Sequence, residues 1–116
     1  MAVYLNYSIE DHEGVKVVNI GGNLSNSTYD ELVRVVSGLT QKSNVILNMK
    51  DVPVITSSGI NSLVQASMDA RKKNKRVILL GMKGPLIKMI DTLDLYEFFI
   101  FVDSIEEGQM KLEYYL

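Results

Sequence analysis

The residues best placed to do chemistry lie in one run, Asp51-Val52-Pro53-Val54-Ile55-Thr56-Ser57-Ser58-Gly59-Ile60-Asn61. Two adjacent serines, preceded by a threonine, stand where an apolar strand has ended and helical spacing begins. A helix start presents unpaired backbone N–H groups and a partial positive charge, and both favour an anion. A phosphate ester on Ser57 or Ser58 would be electrostatically supported there. The same residues also suit plain capping, because Thr56, Ser57 or Ser58 could each supply the oxygen that accepts a first-turn N–H.

Other routes to catalysis are poorly supplied. Ser58 lacks both glycines of the G-x-S-x-G elbow, since Thr56 and Ile60 hold those places. The single histidine, His12, falls in a predicted turn, Asp11-His12-Glu13-Gly14, and a serine without a positioned base is a weak nucleophile. The chain has no cysteine, which removes disulfides, thiolate zinc sites, iron–sulfur ligation and cysteine nucleophiles. Gly21-Gly22 and Gly81-Met82-Lys83-Gly84 match neither phosphate-binding glycine motif. The expectation is a protein that is not an enzyme and carries no cofactor or metal.

Charge narrows the partners. Lys and Arg number 12 against 14 Asp and Glu, for a net charge of −2, so nothing marks a general surface for nucleic acid. The sharpest charge feature is Arg71-Lys72-Lys73-Asn74-Lys75-Arg76. It could meet an acidic partner, but cations at a helix C-terminus also complement the helix dipole, by about 0.3–1 kcal/mol each. With no aromatic residues interleaved, the second reading is preferred.

The elements that position these residues follow from periodicity. A chain of 116 residues, 47% hydrophobic and 22% charged, fits one domain spanning residues 1–116 that needs no cross-link to hold a core. Val3 to Ile9 and Val15 to Ile20 read as a β-hairpin. Leu32, Val35, Val36 and Leu39 mark a helix from Tyr29 to about Gly38, introduced by the capping residues Leu24 to Thr28. Asn44 to Met49 is a buried strand. A helix through Ile60, Leu63, Val64, Ser67 and Ala70 runs to about Lys73. Arg76 to Gly81 is the next buried strand, and Pro85 opens a helix carrying Leu86, Met89, Ile90 and Leu93. Phe98 to Val102 reads as a last strand before a terminal helix introduced by Asp103-Ser104. Met82, Met89 and Phe98 to Phe101 could form a docking patch, although their spacing favours core packing. The alternation predicts an α/β fold: a mixed, mainly parallel sheet with an N-terminal hairpin strand, covered by about four helices. No apolar run approaches the ~20 residues that span a bilayer, and the N-terminus lacks signal-peptide character, so a cytoplasmic protein without a membrane partner is expected.

At this point the chain resembles a known family. Thr56-Ser57-Ser58-Gly59-Ile60, preceded by Leu47-Asn48-Met49, resembles the D-S-S-G-L signature and preceding L-D-L strand in the STAS domains of bacterial anti-sigma-factor antagonists. Gly22-Asn23-Leu24-Ser25 is similar to that family's G-E-L-D segment. Leu95-Tyr96-Glu97-Phe98-Phe99 is similar to its G-L-D-x-x-F segment, with Asp94 at the glycine. Asp103-Ser104-Ile105-Glu106-Glu107-Gly108 is similar to its D-S-x-x-E-A tail. Ser25, Asn48 and Thr56 stand where the pattern carries Asp, and Asn23 where it carries Glu.

The resemblance implies a small switch that docks on a serine-kinase anti-sigma factor, releases the sigma factor, is phosphorylated by that partner and is reset by a serine phosphatase. Ser58 would be the acceptor, with Ser57 as the alternative. Asn23, Ser25, Asn26, Thr56, Ser57, Gly59, Ile60 and Asn61 would form the docking face. A phosphorylation-independent STAS scaffold, or a module binding a small ligand or nucleotide, is the alternative. The resemblance leaves the oligomeric state open.

Overall fold

Alternating apolar residues and tight turns build a five-stranded sheet, described here from a computed structural model over residues 5–22, 24 and 28–114. Its strands are β1 (Asn6–His12), β2 (Val15–Gly21), β3 (Val45–Asp51), β4 (Val77–Leu80) and β5 (Ile100–Val102), side by side in chain order. β1 runs antiparallel to β2, and β2 to β5 are mutually parallel. The connecting helices are α1 (Tyr29–Leu39), α2 (Ser57–Lys72) and α3 (Gly84–Thr92), and α4 (Ile105–Glu113) follows β5. The mixed, mainly parallel sheet and its helices thus agree with the sequence pattern.

Strand alternation divides the core in two. Val18, Ile20, Leu47, Met49 and Leu79 pack with Leu32 and Val36 of α1, Ile60 and Leu63 of α2, and Leu86 and Ile90 of α3. Val17, Ile46, Ile78, Leu80 and Val102 face the other way, against Leu112 of α4. Apolar cover on both faces is why β3 and β4 read as continuous apolar runs instead of alternating ones.

Two strands differ from their expected limits. β1 includes Asp11 and His12, because the hairpin turn is only Glu13-Gly14, with φ of 55° and 87°, and it starts at Asn6, the expected start at Val3 lying outside the described residues. Paired positive φ values are those of a two-residue primed turn, whose twist matches the strands it joins. His12 is therefore a strand residue and not a turn residue. β5 is shorter than Phe98 to Val102, because Tyr96–Phe98 coils into a 3-10 turn. The Phe98 carbonyl accepts from Ser67 Oγ at 2.8 Å and Arg71 Nη2 at 3.3 Å, which binds this turn to α2.

The helix ends carry a signature that composition hides. After α3, the Leu95 N–H bonds the Ile90 carbonyl and the Asp94 N–H bonds that of Asp91, with Asp94 at φ 60°. After α2, Lys75 bonds Ala70 and Asn74 bonds Arg71, with Asn74 at φ 62°. Both are paired 6→1 and 5→2 closures around a left-handed residue. Asp and Asn tolerate that conformation better than other non-glycine residues, which explains how Asp94 can stand at a glycine of the family pattern.

The basic run is largely committed to internal contacts. Lys73 Nζ lies 2.7 Å from Asp69 Oδ2, 3.0 Å from the Ser37 carbonyl and 3.3 Å from Thr40 Oγ1, tying α2 to the end of α1. The Lys73 hydrogen bond holds the Asp69 carboxyl below its ordinary range. Arg71 and Lys72 close the last turn of α2, where cations meet the negative end of the dipole.

Candidate functional site

The candidate site sits where β2 and β3 end together. The Gly22 N–H bonds the Asp51 carbonyl at 3.1 Å, and the Leu24 N–H bonds the Val54 carbonyl at 3.3 Å. Leu24 and Ile55 then form a parallel bridge of their own. The two loops thus continue the pairing of their strands. Leu24, Val52 and Ile55 are buried and anchor both loops to the core.

A chain of hydrogen bonds fixes the start of α2. Thr56 is its N-cap, with extended backbone, and Thr56 Oγ1 accepts from the Gly59 N–H at 3.3 Å. Thr56 Oγ1 is also hydrogen-bonded to the hydroxyl of Tyr29, the first residue of α1. That hydroxyl donates its one proton to the Leu24 carbonyl at 2.6 Å and accepts from the Thr56 N–H at 3.3 Å. Counting protons then makes Thr56 the donor to Tyr29. The order is Gly59 N–H to Thr56 to Tyr29 to Leu24, a series in which each bond polarises the next. Of the three possible caps, Thr56 is the one used, and both serines are left outside the network.

Ser57 and Ser58 occupy the first two positions of α2 and are exposed, as are Thr56 and Asn61. Their N–H groups precede the first intrahelical bond, from the Ile60 N–H to the Thr56 carbonyl. No carboxylate lies in this first turn. The uncompensated positive end of α2 therefore stands beside two free hydroxyls. Gly59 and Ile60 are placed differently from an outward docking face. Ile60 is 0% exposed and packs in the core, and Gly59 is buried against Tyr29. An apolar side chain in the first turn is what seats the helix on the sheet, so these two residues shape the loop from beneath. Asn23, Ser25 and Asn26 lie outside the described residues.

Asn48 is not part of this loop. It lies on the α4 face of the sheet, where its Nδ2 donates to Asn19 Oδ1 at 2.8 Å, and Asn19 Nδ2 donates to Glu10 Oε2 at 2.6 Å. The Asn19 hydrogen bond, followed by that of His12, lowers the Glu10 pKa. His12 pairs with Val15 at the start of β2, whereas Ser58 follows the end of β3. Since β2 and β3 are parallel, His12 and Ser58 belong to opposite ends of the sheet, and His12 is not positioned to act as a base for Ser58. Among the described residues no group of three or more His, Asp or Glu could hold a metal.

Two residues of the site carried no signal in the sequence. Tyr29 looks like an ordinary first-turn residue, yet it is 4% exposed and links both loops. Val54, 51% exposed, adds an apolar side chain just before Thr56. Tyr29→Phe is expected to cost about 1–3 kcal/mol, because it leaves the Leu24 carbonyl and both polar groups of Thr56 short of a partner. Urea unfolding and amide exchange at Gly59 check this together. Unchanged stability with unchanged exchange would show that the hydroxyl does not hold the loop.

Comparison with known proteins agrees with this geometry. An anti-sigma factor antagonist from Mycobacterium paratuberculosis superposes with a TM-score of 0.79 at 17% identity, covering 94% of each chain. The Bacillus cell fate determinant SpoIIAA in its phosphorylated form gives 0.68 at 16% identity, covering 92% of this chain and 99% of that one. The murine solute carrier 26 member A9 anion transporter gives 0.76 at 18% identity, over 90% of this chain but 18% of the transporter. At these identities the likenesses establish the fold. The family model of the STAS domain matches residues 6–108, nearly the whole chain, and the protein belongs to the STAS-domain family.

Proposed function

We propose that this chain is an anti-sigma-factor antagonist switched by phosphorylation of Ser58, with Ser57 as the alternative acceptor. It works in the cytoplasm by docking on an anti-sigma factor that is also a serine kinase, thereby releasing a sigma factor, and a serine phosphatase resets it. The observation that carries this reading is the exposed serine pair at the carboxylate-free first turn of α2, held by the Tyr29–Thr56 network but taking no part in it. The docking face comprises Thr56, Ser57, Ser58 and Asn61, with Val54 close by in sequence, and we assign Asn23, Ser25 and Asn26 to it as well. Gly59 and Ile60 support it from below. The phosphoryl-transfer chemistry belongs to the kinase, and this chain is its substrate.

Thr56 at the aspartate position is compatible with this role, because threonine and aspartate are both N-caps. The experiment is intact mass after incubation with ATP and the cognate kinase. A gain of one phosphate that disappears in Ser58→Ala is expected. Loss in Ser57→Ala instead would move the acceptor by one residue. Tight binding without any mass gain would overturn the switch and favour a constitutive scaffold, a reading encouraged by the presence of this fold within a much longer transporter chain.

A further inference from the structure

The free edge of the sheet at β5 carries a second candidate site. Among the described residues only the β4 side of β5 is paired. The Val102 carbonyl accepts from the Gly81 N–H at 3.1 Å, so strand alternation turns the N–H and C=O of Phe101 toward the open edge. Around that edge Tyr96, Phe99, Ile100, Phe101, Lys111 and Tyr114 line a cavity of about 360 Å³. Both faces of the strand contribute. Phe101 lies level with Leu79 on the side of α2 and α3, Ile100 lies level with Ile78 on the side of α4, and Lys111 and Tyr114 come from the end of α4.

The lining mixes aromatic faces with polar atoms in nearly equal measure and carries one charge. The Tyr96 and Phe101 ring centroids are 5.0 Å apart, and those of Phe99 and Phe101 are 6.1 Å apart. Phe99 is 6% exposed whereas Tyr96 is 50% exposed, so a fixed aromatic wall meets a rim open to water. Among the described residues Lys111 is the one charged residue of the lining. Lys16 and Lys73 have acidic partners, but Lys111 makes no ion pair among the described residues. Aromatic side chains at the strand edge, with a lysine from the neighbouring helix lining the same cavity, suit a ligand with a flat apolar body and one negative charge. The volume lies near the lower end of the ~300–1,000 Å³ usual for small-molecule sites, which suits one ring with a short acidic arm.

We propose that this cavity binds a small aromatic carboxylate, its ring against Phe99, Phe101 and Tyr96 and its carboxylate on Lys111 Nζ. The inference does not depend on Ser58 or on phosphorylation. An NMR titration of the ¹⁵N-labelled chain tests it with phenylacetate, with phenylacetamide, which keeps the ring and loses the charge, and with acetate, which does the reverse. Phenylacetate is expected to give saturable shifts at Tyr96, Phe99 to Phe101, Lys111 and Tyr114, with phenylacetamide and acetate at least about fivefold weaker. Lys111→Met should weaken phenylacetate by about the same factor without changing phenylacetamide, and Lys111→Arg should retain acid binding. Equal affinity for acid and amide, an unaffected Lys111→Met variant, saturation at another surface, or no saturation would each overturn the proposal.

Discussion

Gly59→Val lowers the unfolding free energy by about 3 kcal/mol, at the upper end of what overpacking usually costs. A Cβ built at Gly59 falls 2.5 Å from both Cζ and Cε1 of Tyr29, closer than real Cβ contacts allow. The ring cannot swing aside cheaply, since its hydroxyl is held by Leu24 and Thr56 and its body is buried. Valine adds two methyl groups to that collision. Gly59→Ala isolates the cause: alone it is expected to cost about 2 kcal/mol, and in a Tyr29→Ala background at least about 1 kcal/mol less, because the new methyl then enters vacated space. Urea unfolding of the single and double variants measures the coupling. Additivity within about 0.5 kcal/mol would mean that the two residues do not collide, and the glycine would need another explanation.

That collision also shows where sequence reading succeeds and stops. β3 and β4 were legible because cover on both faces forces continuous apolar runs. The α2 start was legible because a threonine and two serines stand before a helical period. Both signals are local. The link between Tyr29 and Thr56 joins residues 27 positions apart, and nothing in either segment announces it. Ile60 could be read as the end of a surface motif or as the first core residue of α2; burial decides for the core, since a helix must seat its first turn to dock. The turn ending at Glu13-Gly14 was legible, but it was read two residues too long, taking in Asp11 and His12, for a related reason. Acidic residues in β1 looked like loop, but on an exposed edge strand Asp11 can pair with Lys16 and Glu10 with Asn19 at no burial cost.

Ser58→Asp is expected to separate docking from folding, because the two respond with opposite signs. A carboxylate at the second position of α2 complements the helix dipole, so stability should hold or rise by about 0.3–1 kcal/mol at low salt. The same charge lies at the centre of the proposed docking face. There a complementary partner surface must either desolvate it or meet it with like charge, and such mismatches cost several kcal/mol. Affinity for the cognate anti-sigma factor should therefore fall at least about tenfold, which corresponds to about 1.4 kcal/mol. A phosphate carries about −1.5 to −2 charges, so phosphorylation should weaken binding further. Ser58→Ala should bind like the parent chain, because the Ser58 hydroxyl takes no part in the Thr56–Tyr29 network. Calorimetric titration gives the affinities, and thermal unfolding of the same samples gives the stabilities. If Ser58→Asp and Ser58→Ala bound the partner equally, the start of α2 would not be the switch, whatever its capacity to hold an anion.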